Sequence, residues 1–313
     1  MLGGDIVSQD VHPPPIADLT YRNYDGPKAL RPLRWWTISR SFIRAAIRKK
    51  AFWVLFGLLC MQWMLFALIV FFRSQAERVT GGAERGVPTF NLADTFANVV
   101  DVWIWVFAIA LFIGAGSIAA DNRANAIQVY LSKPLTRADY ILGKWMGMVL
   151  LLYFAQFVPM FAALLYAALD KGLGEFLREH SHLALMFPLV PLIPAVIHSS
   201  LLVGISALNR TPAIAGIAYT GIFIVWNVLA MTIAAAPIVS DESRTTLMFL
   251  NPRGVIYGLI FNLIGTRGTF GFQADRSLPL PEWAPLLGLA LVLCAGSLAL
   301  AVLRVRAVEV VKG

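Results

Sequence analysis

The sequence predicts an all-α polytopic membrane protein with six transmembrane helices and an N-terminal interfacial helix, and three observations carry this. Of 313 residues, 58% are apolar and only 14% charged, against about 25% charged in soluble domains. Six windows, 51–72, 102–120, 145–169, 183–208, 211–239 and 283–303, contain no Asp, Glu, Lys or Arg. Basic residues are also unevenly shared among the segments that join those windows. A soluble enzyme is excluded by composition, and coiled coil and collagen by the lack of a heptad or Gly-X-Y period.

At about 1.5 Å per residue, windows of 19 to 29 residues reach or approach the roughly 30 Å hydrocarbon layer. Each charge they avoid spares about 2.5–3.5 kcal/mol of insertion cost. The longest windows must tilt, kink or overrun the interface. Pro188, Pro191, Pro194, Pro212 and Pro237 mark where regular hydrogen bonding is interrupted.

Residues 1–30 contain Pro13-Pro14-Pro15 and Gly26-Pro27 with scattered acids, the composition of an extended or disordered tail. The region up to Lys50 has no apolar core, so it is not read as a cleaved signal peptide and the first span does the targeting. At 100° per residue, residues 31–50 place Arg34, Arg40, Arg44 and Arg48 on one face. Trp35, Trp36, Phe42, Ile43, Ala46 and Ile47 fall on the other. This is the pattern of a helix lying at the membrane surface, basic stripe toward lipid headgroups and tryptophans as anchors.

Between the second and third windows, Asn122 to Leu131 read as a helix, Ser132-Lys133-Pro134 stop it, and Thr136-x-x-Asp139 has the spacing of a capping box opening the third span. A helix across the mouth of a bundle, continuous with a span at each end, is a rigid lever. The segment 240–282 holds a second apolar stretch, Thr246 to Gly265, broken by Asn251-Pro252-Arg253-Gly254. With Arg253 inside it, a re-entrant or interfacial helix fits better than a seventh span.

Orientation follows from basic residues near the spans. With the N-terminus inside, 31–50, 121–144, 209–210 and 304–313 carry 15 Lys/Arg in 56 residues, and the outer segments carry 9 in 85. Both termini are therefore expected in the cytoplasm, in a plasma (inner) membrane. The net charge of +8 is a topology signal. No basic, aromatic-rich domain exists to bind nucleic acid.

Reactive chemistry is sparse. There is no phosphate-binding G-x-x-x-x-G-K-[ST] and no H-E-x-x-H, and no metal site is expected. Cys60 and Cys294 lie within spans and read as small hydrophobes. His180 and His182 flank the fourth span as interfacial residues. Gln62, Gln156, His198, Tyr219, Asn227 and Thr232 are polar side chains inside spans and should face protein or a cavity. The first five are candidates for a substrate path, with helix-to-helix contact the competing role. The spans carry no charge at mid-depth, which argues against proton- or sodium-coupled transport.

The run from Ser117 through Asp121-Asn122-Arg123, Ile127-Gln128-Val129-Tyr130-Leu131-Ser132-Lys133-Pro134-Leu135-Thr136-Arg137 to Gly143-Lys144 resembles the cytoplasmic loop of ABC-2 type transporter permeases. An interfacial "elbow" helix, six spans, and an outer element with Asn-Pro before the last span resemble that family too. One departure is visible, because Asn122 and Asn125 stand where the family often has a second acid and a Gly.

The resemblance implies a permease subunit of an ATP-driven transporter, an exporter by family habit. It would pair with a second copy or a paralogue and with two separate ATPase subunits, which would hold the ATP and Mg. The cytoplasmic coupling helix would then use Asp121, Arg123, Ile127, Gln128, Val129, Tyr130 and Leu131. The elbow, through Trp35, Trp36, Arg40, Arg44 and Arg48, would meet membrane lipid. The chain itself would perform no bond chemistry and bind no cofactor. The competing class is an intramembrane enzyme built on His198 and a polar partner.

Overall fold

The computed structural model describes residues 34–80, 91–100, 102–127, 136–234, 236, 238–266 and 281–305. The tail 1–30, Gln128 to Leu135, Pro237, most of the Gly265 to Pro281 loop and the C-terminal residues 306–313 lie outside them. Among the described residues every regular element is helical, and six helices are long and apolar enough to cross a membrane.

The interfacial helix α1 (Arg34–Ile47) ends in a short turn, and α2 (Lys50–Thr80) carries the first span well past Arg73. The second span is built from pieces: α3 (Leu92–Val100), α4 (Ile104–Gly114) and α5 (Ala119–Arg123). Helix α6 (Arg137–Lys171) is the third span and runs through Pro159 without a break.

Short α7 (Leu173–Glu179) and α8 (Ser181–Met186) lead into a 3-10 turn at Phe187–Leu189, then α9 (Leu192–Leu208). The fourth window is thus broken where Pro188 and Pro191 remove backbone donors. Pro212 opens α10 (Pro212–Thr220) at the first helical position, where no donor is needed. The fifth span continues through a π turn (Gly221–Val225) into α11 (Trp226–Ala234).

The outer segment forms two helices, α12 (Asp241–Phe249) and α13 (Pro252–Ile264), bent by 99°. Their junction is dictated by Asn251-Pro252-x-Gly254. The Asn251 carboxamide oxygen accepts from Gly254 N at 2.9 Å while its Nδ2 donates to Met248 O at 2.8 Å. A Cβ on Gly254 would run into the Met248 carbonyl and the Phe249 Cα, so only glycine fits.

Helix α13 then runs antiparallel to the last span, α14 (Trp283–Arg304). Gly258 accommodates the Leu286 side chain, and Asn262 Nδ2 donates to Pro281 O at 3.0 Å. His182 Nε2 donates to Leu263 O at 2.8 Å, which ties the far end of α13 to the start of the fourth span. Most of α13 is buried.

Close packing elsewhere relies on small residues, as expected where lipid gives no hydrophobic drive between helices. A Cβ on Gly204 would sit 2.7 Å from Ser297 O, so the fourth and sixth spans touch backbone to backbone. A Cβ on Gly114 would sit 2.7 Å from Leu202 Cδ1. The thickest part of the interior is aromatic, with Trp63, Phe66 and Phe96 packed ring to ring between the first and second spans.

Candidate functional site

Two places gather the polar groups: the junction of the second and third spans, and a chamber inside the bundle.

At the junction, helix α4 ends at Gly114 and residues 115–118 are unwound before α5 begins. An unwound stretch exposes backbone groups that lipid cannot satisfy. Ser206 of the fourth span satisfies them. Its hydroxyl accepts from Ile118 N and Ala119 N at 3.0 and 2.9 Å and donates to Ala115 O at 2.9 Å. Asn122 Nδ2 adds a bond to Asn209 O at 3.2 Å.

Asp121 closes the junction. Its Oδ2 accepts from Tyr140 Oη at 2.6 Å and pairs with Lys144 Nζ at 2.8 Å, with side chains only 19% and 11% exposed for Asp121 and Lys144. Lys144 also lies over the Phe42 and Tyr140 rings, 5.8 and 5.7 Å from their centroids. The third span starts with the expected capping box. Thr136 Oγ1 accepts from Asp139 N at 3.1 Å, and Asp139 Oδ2 accepts from Thr136 N at 3.1 Å.

The interfacial helix packs on this junction. A Cβ on Gly143 would lie 2.6 Å from Ile38 Cβ and 2.7 Å from Trp35 O, and one on Gly147 would lie 3.1 Å from Ser39 Cα. Ser39 Oγ donates to Gly143 O at 2.8 Å. The inward stripe therefore centres on Ile38, Ser39, Phe42 and Ala46. This corrects the face drawn from the sequence, because Trp36 and Ile47 are exposed while Ile38 and Ser39 are buried. Gly143 and Gly147 on the partner helix decide which stripe turns inward. Trp35 is half-buried, and Arg40, Arg44 and Arg48 are exposed.

The continuous helix expected over 122–131 is not observed. Helix α5 stops at Arg123, and Asn125 adopts a left-handed backbone with φ +53°. Among residues with a Cβ, Asn is one of the few that tolerate this region. Arg123 is exposed and Ile127 buried, and Gln128 to Leu131 lie outside the described residues.

Inside the bundle, His198 Nδ1 and Tyr219 Oη form a short hydrogen bond, both groups fully buried. The His198 ring stacks on Phe223 at 4.5 Å, and Tyr219 stacks on Phe107 at 5.0 Å. The π turn of the fifth span begins two residues after Tyr219 and contains Phe223, and such turns often mark functional sites. His198 and Gln156 line a cavity of about 30 Å³ together with Arg253 and Tyr257 of α13, room for a water or two. The Arg253 guanidinium lies over the Trp103 ring at 5.3 Å.

No span contributes a charge to this chamber among the described residues, but the bent helix pair brings Arg253 to its wall. Its signal in the sequence was the Asn-Pro-Arg-Gly interruption, whose depth no local pattern gives. The structure does not bring the five candidate path residues to one place. Gln62 Nε2 instead donates to Val99 O at 2.6 Å, satisfying a helix-terminal carbonyl. Asn227 is buried apart from the chamber, and its Nδ2 contacts Met231 Sδ at 3.5 Å.

Thr232, expected to face protein, is exposed, and its hydroxyl bonds back to Val228 O at 2.8 Å, so lipid need not solvate it. His198 pairs with a phenol and not a serine. Ser200 is committed to Val196 O and to Trp145 Nε1 at 2.8 and 2.9 Å, and among the described residues no carboxylate lines the chamber.

A helical membrane domain of this kind, with its first helix clamped to a stitched junction of the second and third spans and a bent helix pair before the last span, has the architecture of a transporter permease. The family model described as ABC-2 family transporter protein matches residues 36–309, and the chain belongs to that family. Comparison with curated proteins gives no match.

Proposed function

We propose that the chain is the permease subunit of an ATP-driven exporter. Two permease chains, either identical or paralogous, assemble with two ATPase subunits that hold ATP and Mg. The segment from Arg123 to Leu131 is the contact that receives the ATPase stroke, with Arg123, Gln128 and Tyr130 as polar contacts and Ile127, Val129 and Leu131 packed around them. Both termini are cytoplasmic.

The observation that carries this reading is the Asp121–Lys144–Tyr140 clamp. It makes the two ends of the loop one rigid body with the interfacial helix, and Ser206 extends that body to the fourth span. A push on the loop tip is then passed to the second, third and fourth spans together instead of being absorbed by a slack linker. The left-handed Asn125 gives the contact element its own direction, independent of α5.

The test is co-reconstitution of the chain with an ATP-binding-cassette ATPase subunit in vesicles. Arg123→Glu should leave insertion intact while separating ATP hydrolysis from transport by tenfold or more, the loss of about 1.4 kcal/mol of coupling. Unchanged coupling in Arg123→Glu and in Ile127→Ala would remove this loop as the contact.

A further inference from the structure

Between the C-terminal half of α1, the end of the second span and the start of the fifth lies an open crevice of about 510 Å³, within the roughly 300–1,000 Å³ typical of ligand sites. Its origin is the packing of α1. Gly143 and Gly147 let the helix lie directly on the third span, but toward Lys49 its inward face carries Ala45 and Ala46. Several facing residues, Ala115, Gly116, Ala213 and Gly216, are also small. No described residue fills the gap, and an empty apolar gap forfeits dispersion contacts on every wall.

The crevice has two cations on its lining, Lys49 and Lys144. Lys144 is neutralised by Asp121. Lys49 is exposed and has no ion pair among the described residues. We propose that this crevice binds one acyl chain of an anionic phospholipid of the inner leaflet, with the lipid phosphate held against the Lys49 ammonium.

The walls are mostly apolar, with Phe42, Leu111, Phe112 and Ile113 beside the small residues, which suits a hydrocarbon chain and not a free anion. The cation stands beside the interfacial helix, where a headgroup would lie. A second copy of this chain is the poorer occupant, because a two-fold contact presents the same patch on both sides and would set Lys49 against its own cationic surface. The lipid pins the end of α1 beyond Phe42, the part that the glycine contacts with the third span do not reach. The leaflet assignment rests on the cytoplasmic placement of α1, but binding in detergent does not, so the two can fail separately.

The test uses the full chain in nonionic detergent, titrated with phosphatidylglycerol, phosphatidylcholine or glycerol 3-phosphate, with bound species counted by native mass spectrometry. Phosphatidylglycerol should be retained about fivefold more tightly than phosphatidylcholine, the effect of one Lys near an anionic headgroup, and glycerol 3-phosphate should not bind. Lys49→Gln should erase that preference. Arg44→Gln, on the opposite face of α1, should keep it. Ala213→Trp, which fills the crevice from an exposed position, should lose both lipids.

Because a bulky variant can fail for other reasons, a fluorophore on Ala45→Cys, in a chain with Cys60 and Cys294 replaced by Ala, gives a milder readout. Spin-labelled phosphatidylglycerol should quench it saturably. Equal retention of the two phospholipids by the wild type, or lipid retained in Ala213→Trp, overturns the proposal. Loss of a dimer in Ala213→Trp with lipid retained would assign the crevice to a second copy.

Discussion

Asp121 Oδ2 lies 2.8 Å from Lys144 Nζ and accepts the Tyr140 hydroxyl at 2.6 Å, so one carboxylate joins the end of the second span to the beginning of the third. The pair is partly buried, where neither charge is well solvated alone. Lys144 reaches it across the Phe42 ring of the interfacial helix, so three elements meet at one ion pair.

Removing one partner leaves the other charge stranded. Lys144→Met or Asp121→Asn should each cost about 3 kcal/mol of stability, the lower end for breaking a buried pair, read as a fall in thermal unfolding temperature in detergent. The exchanged pair Asp121→Lys with Lys144→Asp should recover part of that loss. If both single variants unfold with the wild type, the clamp is not a rigid joint.

The Asn251 turn should be as sensitive as the clamp for a different reason. Asn251→Ala removes a cap, costing about 1–2 kcal/mol, and strands the Met248 carbonyl. Gly254→Ala places a methyl group into backbone, which cannot yield as a side chain would, so α12 and α13 must separate. Protease protection of the outer segment should be reduced in Asn251→Ala and lost in Gly254→Ala. Full protection in Gly254→Ala would contradict the turn geometry.

The six spans were legible because avoiding charge over about 20 residues is a one-dimensional signal. So was the cap at Thr136 and Asp139, whose partners are three residues apart. The break at Asn125 was less so, because left-handed Asn is permitted and not required. The place of Arg253 at the chamber was invisible: it depends on Gly254, Gly258, Leu286 and His182 coming together from three segments. Ser206 was hidden similarly, since its hydroxyl serves a break 88 residues away.

Topology has a direct check in a chain with Cys60 and Cys294 replaced. Cysteines at Ser74 and Ser181 should react with an impermeant thiol reagent from outside sealed cells. Cysteines at Ser41, exposed on α1, and at Ser132 should react only after lysis. Reaction at Ser41 in sealed cells would invert the orientation and with it the assignment of the loop 121–144 to the ATPase side.

The interfacial helix is held by two kinds of contact, and they can be broken separately. Arg40, Arg44 and Arg48 face away from the protein, and each gains about 1 kcal/mol near anionic lipid, with Trp36 exposed beside them as an interfacial anchor. Ile38 and Ser39 instead lie against Gly143, where any side chain would strike Trp35 O and Ile38. Replacing the three arginines together by Glu should therefore release the lipid side, and Gly143→Leu the protein side. Either change should lower the yield of permease–ATPase complex on co-purification while the spans remain inserted. Charge reversal at Arg22 and Lys28 in the tail should have little effect. If the tail and elbow variants lose complex equally, the effect is one of net charge and the helix has no specific place at the docking surface. If only Gly143→Leu fails, packing on the third span and not the lipid contact positions the elbow.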